Sequence, residues 1–315
     1  MMTVRTCIQK IFAAMLVALV LTGCATVPAK TTAKAVLIEH PERFFWELKA
    51  DNASVYVLGT IHVADKSVFP LEEHVLKAFD GADRLVSELG GMAEMQKLVE
   101  ALTTAYVQSI NADSEKNLMK LLTQEELALL YDIIGESGVR SLAAFNPWVM
   151  NATITQLLLA KAGLKAADGI DLYLINRAGK KKVEALDTIE QQINILSYGT
   201  FEDQLTILKE TLAEAKNIVT EVQTLRDLYI KNDRETLTAM LGHSLLQLPD
   251  AFSEEKMQAF VDVLLTNRNR IWARKFHEYL QAGGTTFVFA GTAHFLGDNS
   301  VFEIMKQNGT LSLQE

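Results

Sequence analysis

The sequence predicts an α/β fold: a mixed central sheet built from strands near both chain ends, with a large helical insertion between them. Three observations predict it. Apolar, strand-like runs that stop at glycine or a turn signal recur at 54–61, 84–89 and 285–290. Between about residues 93 and 281 the spacing is mostly helical, with one short strand-like interruption. Finally, the first and last of these runs continue alike. Gly59-Thr60-Ile61-His62 is matched by Gly291-Thr292-Ala293-His294, and Ser67-Val68-Phe69 by Ser300-Val301-Phe302. One strand-end pattern made twice asks for two neighbouring strands of one sheet.

The first residues read as an address rather than as fold. Arg5 and Lys10 precede an apolar run from Ile11 to Leu21. That run is shorter than the roughly 20 residues a bilayer span needs. It matches an export signal over residues 1–23. Leu21-Thr22-Gly23-Cys24 resembles the lipobox of bacterial lipoproteins, in which the cysteine is lipidated and becomes the first residue. The expectation is a chain held to the membrane through lipidated Cys24, in the cell envelope. Ala25, rather than Asp, follows the cysteine, which favours the outer membrane facing the periplasm. Residues 24–43, with Ala, Thr, Lys, Val and Pro28, read as a tether. Residues 44–315 then form a single domain.

Composition excludes several chemistries. Cys7 leaves with the signal and Cys24 carries lipid, so the domain has no disulfide, cysteine nucleophile or thiolate metal site. Removing Arg5 and Lys10 leaves 30 − 2 = 28 basic residues against 39 acidic ones, a net charge of −11. Such a surface disfavours nucleic-acid backbones, and no nucleic-acid partner is expected.

The elements follow in order. Phe44–Ala50 and Ser54–Ile61 alternate as strands around an Asp51-Asn52 turn. Pro70 opens a helix through Phe79, with Glu72 and Glu73 at its positive end. Arg84–Leu89 is a strand closed by Gly90-Gly91. The helical block is interrupted at Lys182–Leu186, and a helix resumes near Thr188. Between Phe201 and Tyr229, Phe201, Leu205, Leu208, Leu212, Ala215, Val219 and Val222 step by 4, 3, 4, 3, 4, 3. This predicts one long helix with a single seam, packed against a neighbouring helix or across a homodimer. Thr285–Ala290 is the last clear strand, Ser300–Asn308 a helix and Thr310–Leu313 a final edge strand.

Chemistry is expected where strands end. In open α/β sheets, ligands bind at the carboxyl edge of the strands. Gly59 and Gly291 permit tight turns there, and each is followed three residues later by a histidine, His62 or His294. Glu88 ends the run Arg84-Leu85-Val86-Ser87-Glu88-Leu89. A carboxylate on a buried-looking strand needs a partner or a cation. His62, Glu88 and His294 together suit a catalytic metal with a position left for water. Read structurally instead, the histidines cap turns of two related half-folds, and Glu88 faces a helix N-terminus.

These residues carry a resemblance. The chain resembles the TraB/GumN family, which includes the Tiki-type Wnt-cleaving proteases and is marked by two G-x-x-H motifs with a glutamate after the first. His62, His294 and Glu88 stand at those positions. Pro147-Trp148, Asp168–Ala178, Leu186–Gln192 and Arg268–Arg270 resemble further stretches of it. In the third, Asp187 stands where the family usually has glutamate, so the shorter side chain leaves its reach in question. The resemblance covers about residues 44–309. It implies metal-dependent hydrolysis of a peptide or related amide or ester bond. It also implies kinship with erythromycin-esterase-like hydrolases and a haem-binding lipoprotein.

Around the triad, Arg268 is expected to face the cleft and hold a substrate carboxylate or a developing oxyanion. Asp171 is a candidate to orient a histidine. Gly59, Gly291 and Asp187 support the site. His40, His74, His243 and His277 have no paired context and read as structural. No His-Glu-x-x-His or Gly-x-Ser-x-Gly is present. The reading is therefore an exported lipoprotein hydrolase with a divalent metal ion, acting on a peptide or small molecule. The alternatives are a non-hydrolytic haem- or metal-binding lipoprotein and an interaction protein that uses its helical block.

Overall fold

The computed structural model describes residues 34–246 and 252–314. The segment expected to be an export signal and Cys24 lie outside the described residues, and the side chain of His243 does too. Seven strands form one sheet: β1 (Ala35–Glu39), β2 (Phe45–Ala50), β3 (Ala53–Thr60), β4 (Arg84–Ser87), β5 (Val183–Ala185), β6 (Gly284–Gly291) and β7 (Leu311–Leu313). Their order across the sheet is β5-β4-β6-β3-β2-β1-β7. β6 lies parallel to both β3 and β4, β4 is parallel to β5, and β7 is parallel to β1. Only β2 runs the other way, paired antiparallel with β1 and β3.

The β3–β6 pair joins the chain ends. Gly59 stands opposite Ala290 and Thr60 opposite Gly291. The two Gly-Thr-x-His turns therefore leave the same sheet edge side by side. β6 can take this central place because Phe287, Val288, Phe289 and Ala290 are all fully buried. A strand covered on both faces reads as a continuous apolar run rather than an alternating one. Phe79, from the helix Glu73–Gly81, packs edge-on against Phe287, while Phe45 stacks with Phe287. Burying each such ring contributes roughly 1.5–3 kcal/mol.

β1 was not foreseen. The tether expected over 24–43 overlaps Ala35–Glu39, whose alternating burial and pairing with β2 and β7 place it in the sheet. Its polar flanks suggested a linker, but its partner β7 lies almost three hundred residues away. The helix expected from Pro70 begins at Glu73.

The helical block has its own smaller core, built on Leu118, Leu130, Met150, Ile154, Leu208 and Leu212. The single helix expected from Phe201 to Tyr229 is two: Phe201–Ala213 and Ala215–Ile230, parted at Glu214 (φ −90°, ψ 4°). Each half serves a different neighbour. Leu208 and Leu212 fill the smaller core, whereas Val222 and Leu225 face a cleft beside the main sheet. The first half of the seam is thus packed within this chain. Among the described residues, no helix is long and apolar enough to cross a membrane.

Candidate active site

The carboxyl ends of β5, β4, β6 and β3 deliver, in that spatial order, Asp187, Glu88, His294 and His62. Each is fixed by local chemistry. The Ser87 hydroxyl donates to the carbonyl of Gly90 and accepts from its N–H, shaping the turn that carries Glu88. The amide of Asp187 donates to the carbonyl of Glu88 at 3.0 Å, so the two carboxylates leave adjacent strands together. The Thr292 hydroxyl donates to the carbonyl of Thr60 at 2.8 Å, stitching the second turn to the first. Gly59 is packed against Thr292 and Phe44, with no room for a side chain.

His62 is held by a second element. The helix Ile170–Ala178 docks its start against the first turn, Ile170 N–H donating to the carbonyl of Ile61 at 3.1 Å. A Cβ on Gly169 would collide with the carbonyl oxygen of His62. This approach sets Asp171 Oδ2 2.9 Å from His62 Nδ1, while Asp171 Oδ1 accepts from Thr60 Oγ1 at 2.8 Å. The other ring nitrogen, His62 Nε2, lies 3.4 Å from Glu88 Oε2. Asp171 above all, and then Glu88, hold the His62 imidazole well above the usual histidine range. Burial works to raise the Glu88 carboxyl, but His62 and Arg268 prevail and keep it well below the carboxylate range.

Arg268 lines the cleft, as the sequence suggested, but its guanidinium is already engaged by the protein. It is buried, and all three guanidinium nitrogens are committed. Nε donates to Asp187 Oδ2 at 2.7 Å, Nη1 to the carbonyl of Leu264 at 2.6 Å, and Nη2 to Glu88 Oε1. In this structure the guanidinium grips Glu88 and Asp187. Its reach toward Leu264 is possible because residues Asp262–Thr266 adopt π-helical geometry just before the helix Asn267–Ala282. Such bulges re-aim side chains. Asp187, with its shorter side chain, stays behind this guanidinium. It also accepts from Trp272 Nε1 at 2.7 Å and Gln192 Nε2 at 2.8 Å, and burial raises its carboxyl. In this structure its carboxylate is taken up by Arg268, Trp272 and Gln192.

His294 is buried against Trp272, ring centroids 4.0 Å apart. Its Nδ1 meets Asn269 Oδ1. The amide's orientation follows from its other end, where Asn269 Nδ2 donates to the carbonyl of Asn299 at 2.7 Å. The proton therefore sits on His294 Nδ1, and Nε2 keeps its lone pair. Burial pushes this imidazole down to about 3, so it is neutral across the physiological range.

His62, Glu88, Arg268, Gly291 and His294 line one wall of a cleft of about 460 Å³. The opposite wall is apolar, with Leu159, Leu164, Ile195, Val222, Leu225 and Leu264 among its residues. The donor set suits a divalent transition metal: one carboxylate and two imidazoles, each imidazole backed at Nδ1 by an oxygen acceptor. A cradle is present as well. A Cβ on Gly291 would stand 2.9 Å from His62 Nε2 and 3.7 Å from Glu88 Oε2, so only glycine keeps that space clear. The set is open, however. Among the described residues, the group of three whose ligand atoms all lie within 4.8 Å of one another is His40, Glu42 and His74 instead.

Sequence reasoning missed Trp272 and Gln192, and gave Asn269 no role within its Arg-Asn stretch. A tryptophan at helical spacing from Arg268 carries no signal of its own. The repeated pattern also diverges after the histidines. Lys66–Val68 form a single 3-10 turn, whereas Ser300 caps the helix Val301–Gln307.

The model of the TraB/PrgY/gumN family matches residues 44–311. A protein of Treponema pallidum described as uncharacterized is 31% identical over 283 residues, 87% of this chain and 83% of the relative. YbaP of Escherichia coli, likewise described as uncharacterized, is 26% identical over 81% of this chain and 89% of its own. The metalloprotease TIKI2 of Xenopus tropicalis is 25% identical over 84% of this chain, which spans 58% of that protein. No solved structure matches.

Proposed function

Because the chain belongs to the TraB/PrgY/gumN family, we propose that it is a hydrolase of peptide or related amide or ester bonds, using a divalent metal ion held by His62, Glu88 and His294. One observation carries the reading: both histidines turn Nε2 toward the cleft that Glu88 shares, each ring fixed from behind at Nδ1. Such an ion would polarise a carbonyl and lower the pKa of a water molecule.

The chain's own residues supply the rest. Arg268 keeps Glu88 Oε1 engaged, so Glu88 Oε2 is the oxygen presented to the cleft. Held ionised, it is charged to hold the ion. Asp171, at His62 Nδ1, fixes that ring so that Nε2 is the nitrogen offered to the ion. The apolar wall shields the reacting carbonyl from bulk water and receives apolar groups of the substrate. Upstream of the fold, Cys24 carries the lipid that anchors the chain to the outer membrane on its periplasmic side. Incorporation of labelled palmitate that survives Cys24→Ala would disprove that anchor.

The test of the hydrolase is a panel of fluorogenic peptides and esters with Mn²⁺, Co²⁺ or Zn²⁺. Turnover should appear with at least one ion, vanish with chelator, and vanish in Glu88→Gln and His62→Ala chains that keep their circular dichroism. Metal or haem uptake without turnover on any substrate, a haem absorption band included, would leave a binding protein instead.

A further inference from the structure

We propose a second divalent transition-metal site, formed by His40, Glu42 and His74, which ties the loop after β1 to the helix Glu73–Gly81. The three come from two elements 34 residues apart, and none of them lines the catalytic cleft. Their ligand atoms all lie within 4.8 Å of one another. His74 Nδ1 is 2.9 Å from Glu42 Oε1, and His40 Nε2 is 3.7 Å from the buried Glu47 Oε2. Two ligands on one zinc-like ion, with bonds near 2.0–2.1 Å in tetrahedral geometry, stand about 3.3 Å apart. The Glu42–His74 pair, at 2.9 Å, lies close to that spacing.

Two independent features point to a missing occupant. His40 Nε2 and Glu42 Oε2 are shielded from solvent yet have no hydrogen-bond partner. Buried polar atoms are normally satisfied, and an orphaned imidazole nitrogen beside an orphaned carboxylate oxygen is the donor pair a cation takes up. The loop is also built in advance. Arg234 Nη2 donates to the carbonyls of His40 and Glu42 at 3.2 and 3.4 Å, and Asn232 Oδ1 accepts from the Phe44 amide at 3.0 Å. The His40 and His74 rings meet edge to face at 5.1 Å, both against Phe45, so neither is free to swing away. Nitrogen donors select zinc, cobalt, nickel or copper over calcium or magnesium.

The full chain, stripped with chelator and re-loaded with Zn²⁺, is gel-filtered and its metal measured by elemental analysis. His74 is half-exposed on the first turn of its helix, so His74→Ala leaves the fold intact, and Glu42→Gln keeps shape while losing charge. Both variants should hold one Zn²⁺ fewer than the unsubstituted chain. Calorimetric titration should show affinity at that site falling at least 100-fold. The count separates this site from the catalytic one. Loss of one zinc in His74→Ala while a Glu88→Gln chain retains it supports the proposal, whatever the catalytic cleft binds. Equal zinc in His74→Ala, Glu42→Gln and unsubstituted chains overturns it, as does a chain that takes up none.

Discussion

Replacing Gly291 with alanine separates the chemistry of the cleft from the stability of the fold. The backbone raises no objection: Gly291 has φ −49° and ψ 128°, open to any residue. Alanine also lowers the entropy of the unfolded chain, worth about 0.4–1 kcal/mol in favour of folding. Against this stands one contact. The new Cβ would lie 2.9 Å from His62 Nε2, where carbon needs about 3.5 Å, so the ring must retreat by about 0.6 Å. The His62 side chain is 52% exposed and can yield at little cost. The two effects nearly cancel, and the melting temperature should stay within about 3 °C of the parent. Function should not survive so well. A reacting group misplaced by a good fraction of an ångström loses about 10–100-fold in rate. Thermal melts with and without chelator, beside kcat/KM on the best substrate and the Kd for Mn²⁺ or Zn²⁺, read both quantities. Parental activity in Gly291→Ala, or a melting point lower by about 8 °C or more, would refute the reasoning.

Asn269→Leu removes the acceptor behind His294 Nδ1, and metal affinity in the cleft should fall about 10–100-fold in a titration calorimeter while far-ultraviolet circular dichroism stays unchanged. Asp187→Ala strips one of two carboxylates from the buried Arg268 and should cost about 3–5 kcal/mol in urea unfolding; a cost under about 1 kcal/mol would show the guanidinium repacking freely. In chelator-treated protein, nitrogen-15 spectra should keep His294 neutral with the proton on Nδ1 from pH 8 to below pH 5. Its folded value, about 3, lies below the unfolded one near 6.5, so its contribution to stability is complete above pH 6.5 and drains away as pH falls toward 3. A titration near 6.5 would contradict its burial.

The sequence carried the frame of this molecule because the frame is local. Strand runs ending in glycine, a helical middle and two copies of Gly-Thr-x-His are written in consecutive residues, and β3, β4 and β6 follow them closely. What escaped was whatever depends on distant partners. β1 looks like linker until β7 lies beside it. That Arg268 is held by Glu88 and Asp187, 180 and 81 residues upstream, could not be read from its own helix. Histidines 40 and 74 had no visible context because theirs is spatial: a loop folded over a helix start. The break at Glu214 was hidden for another reason. A heptad stripe records that each turn is covered, not that two different cores do the covering.

The pairing of β3 with β6 has a consequence for how the protein comes into being. His62 and Glu88 precede His294 by more than two hundred residues, so the site depends on a long-range strand pairing. Closing so long a loop costs entropy before the pairing repays it, which makes this contact slow to form. Until β6 inserts between β3 and β4, the turn bearing His62 and the strand end bearing Glu88 have no shared neighbour in the sheet, so the cleft is among the last features of the fold to be assembled.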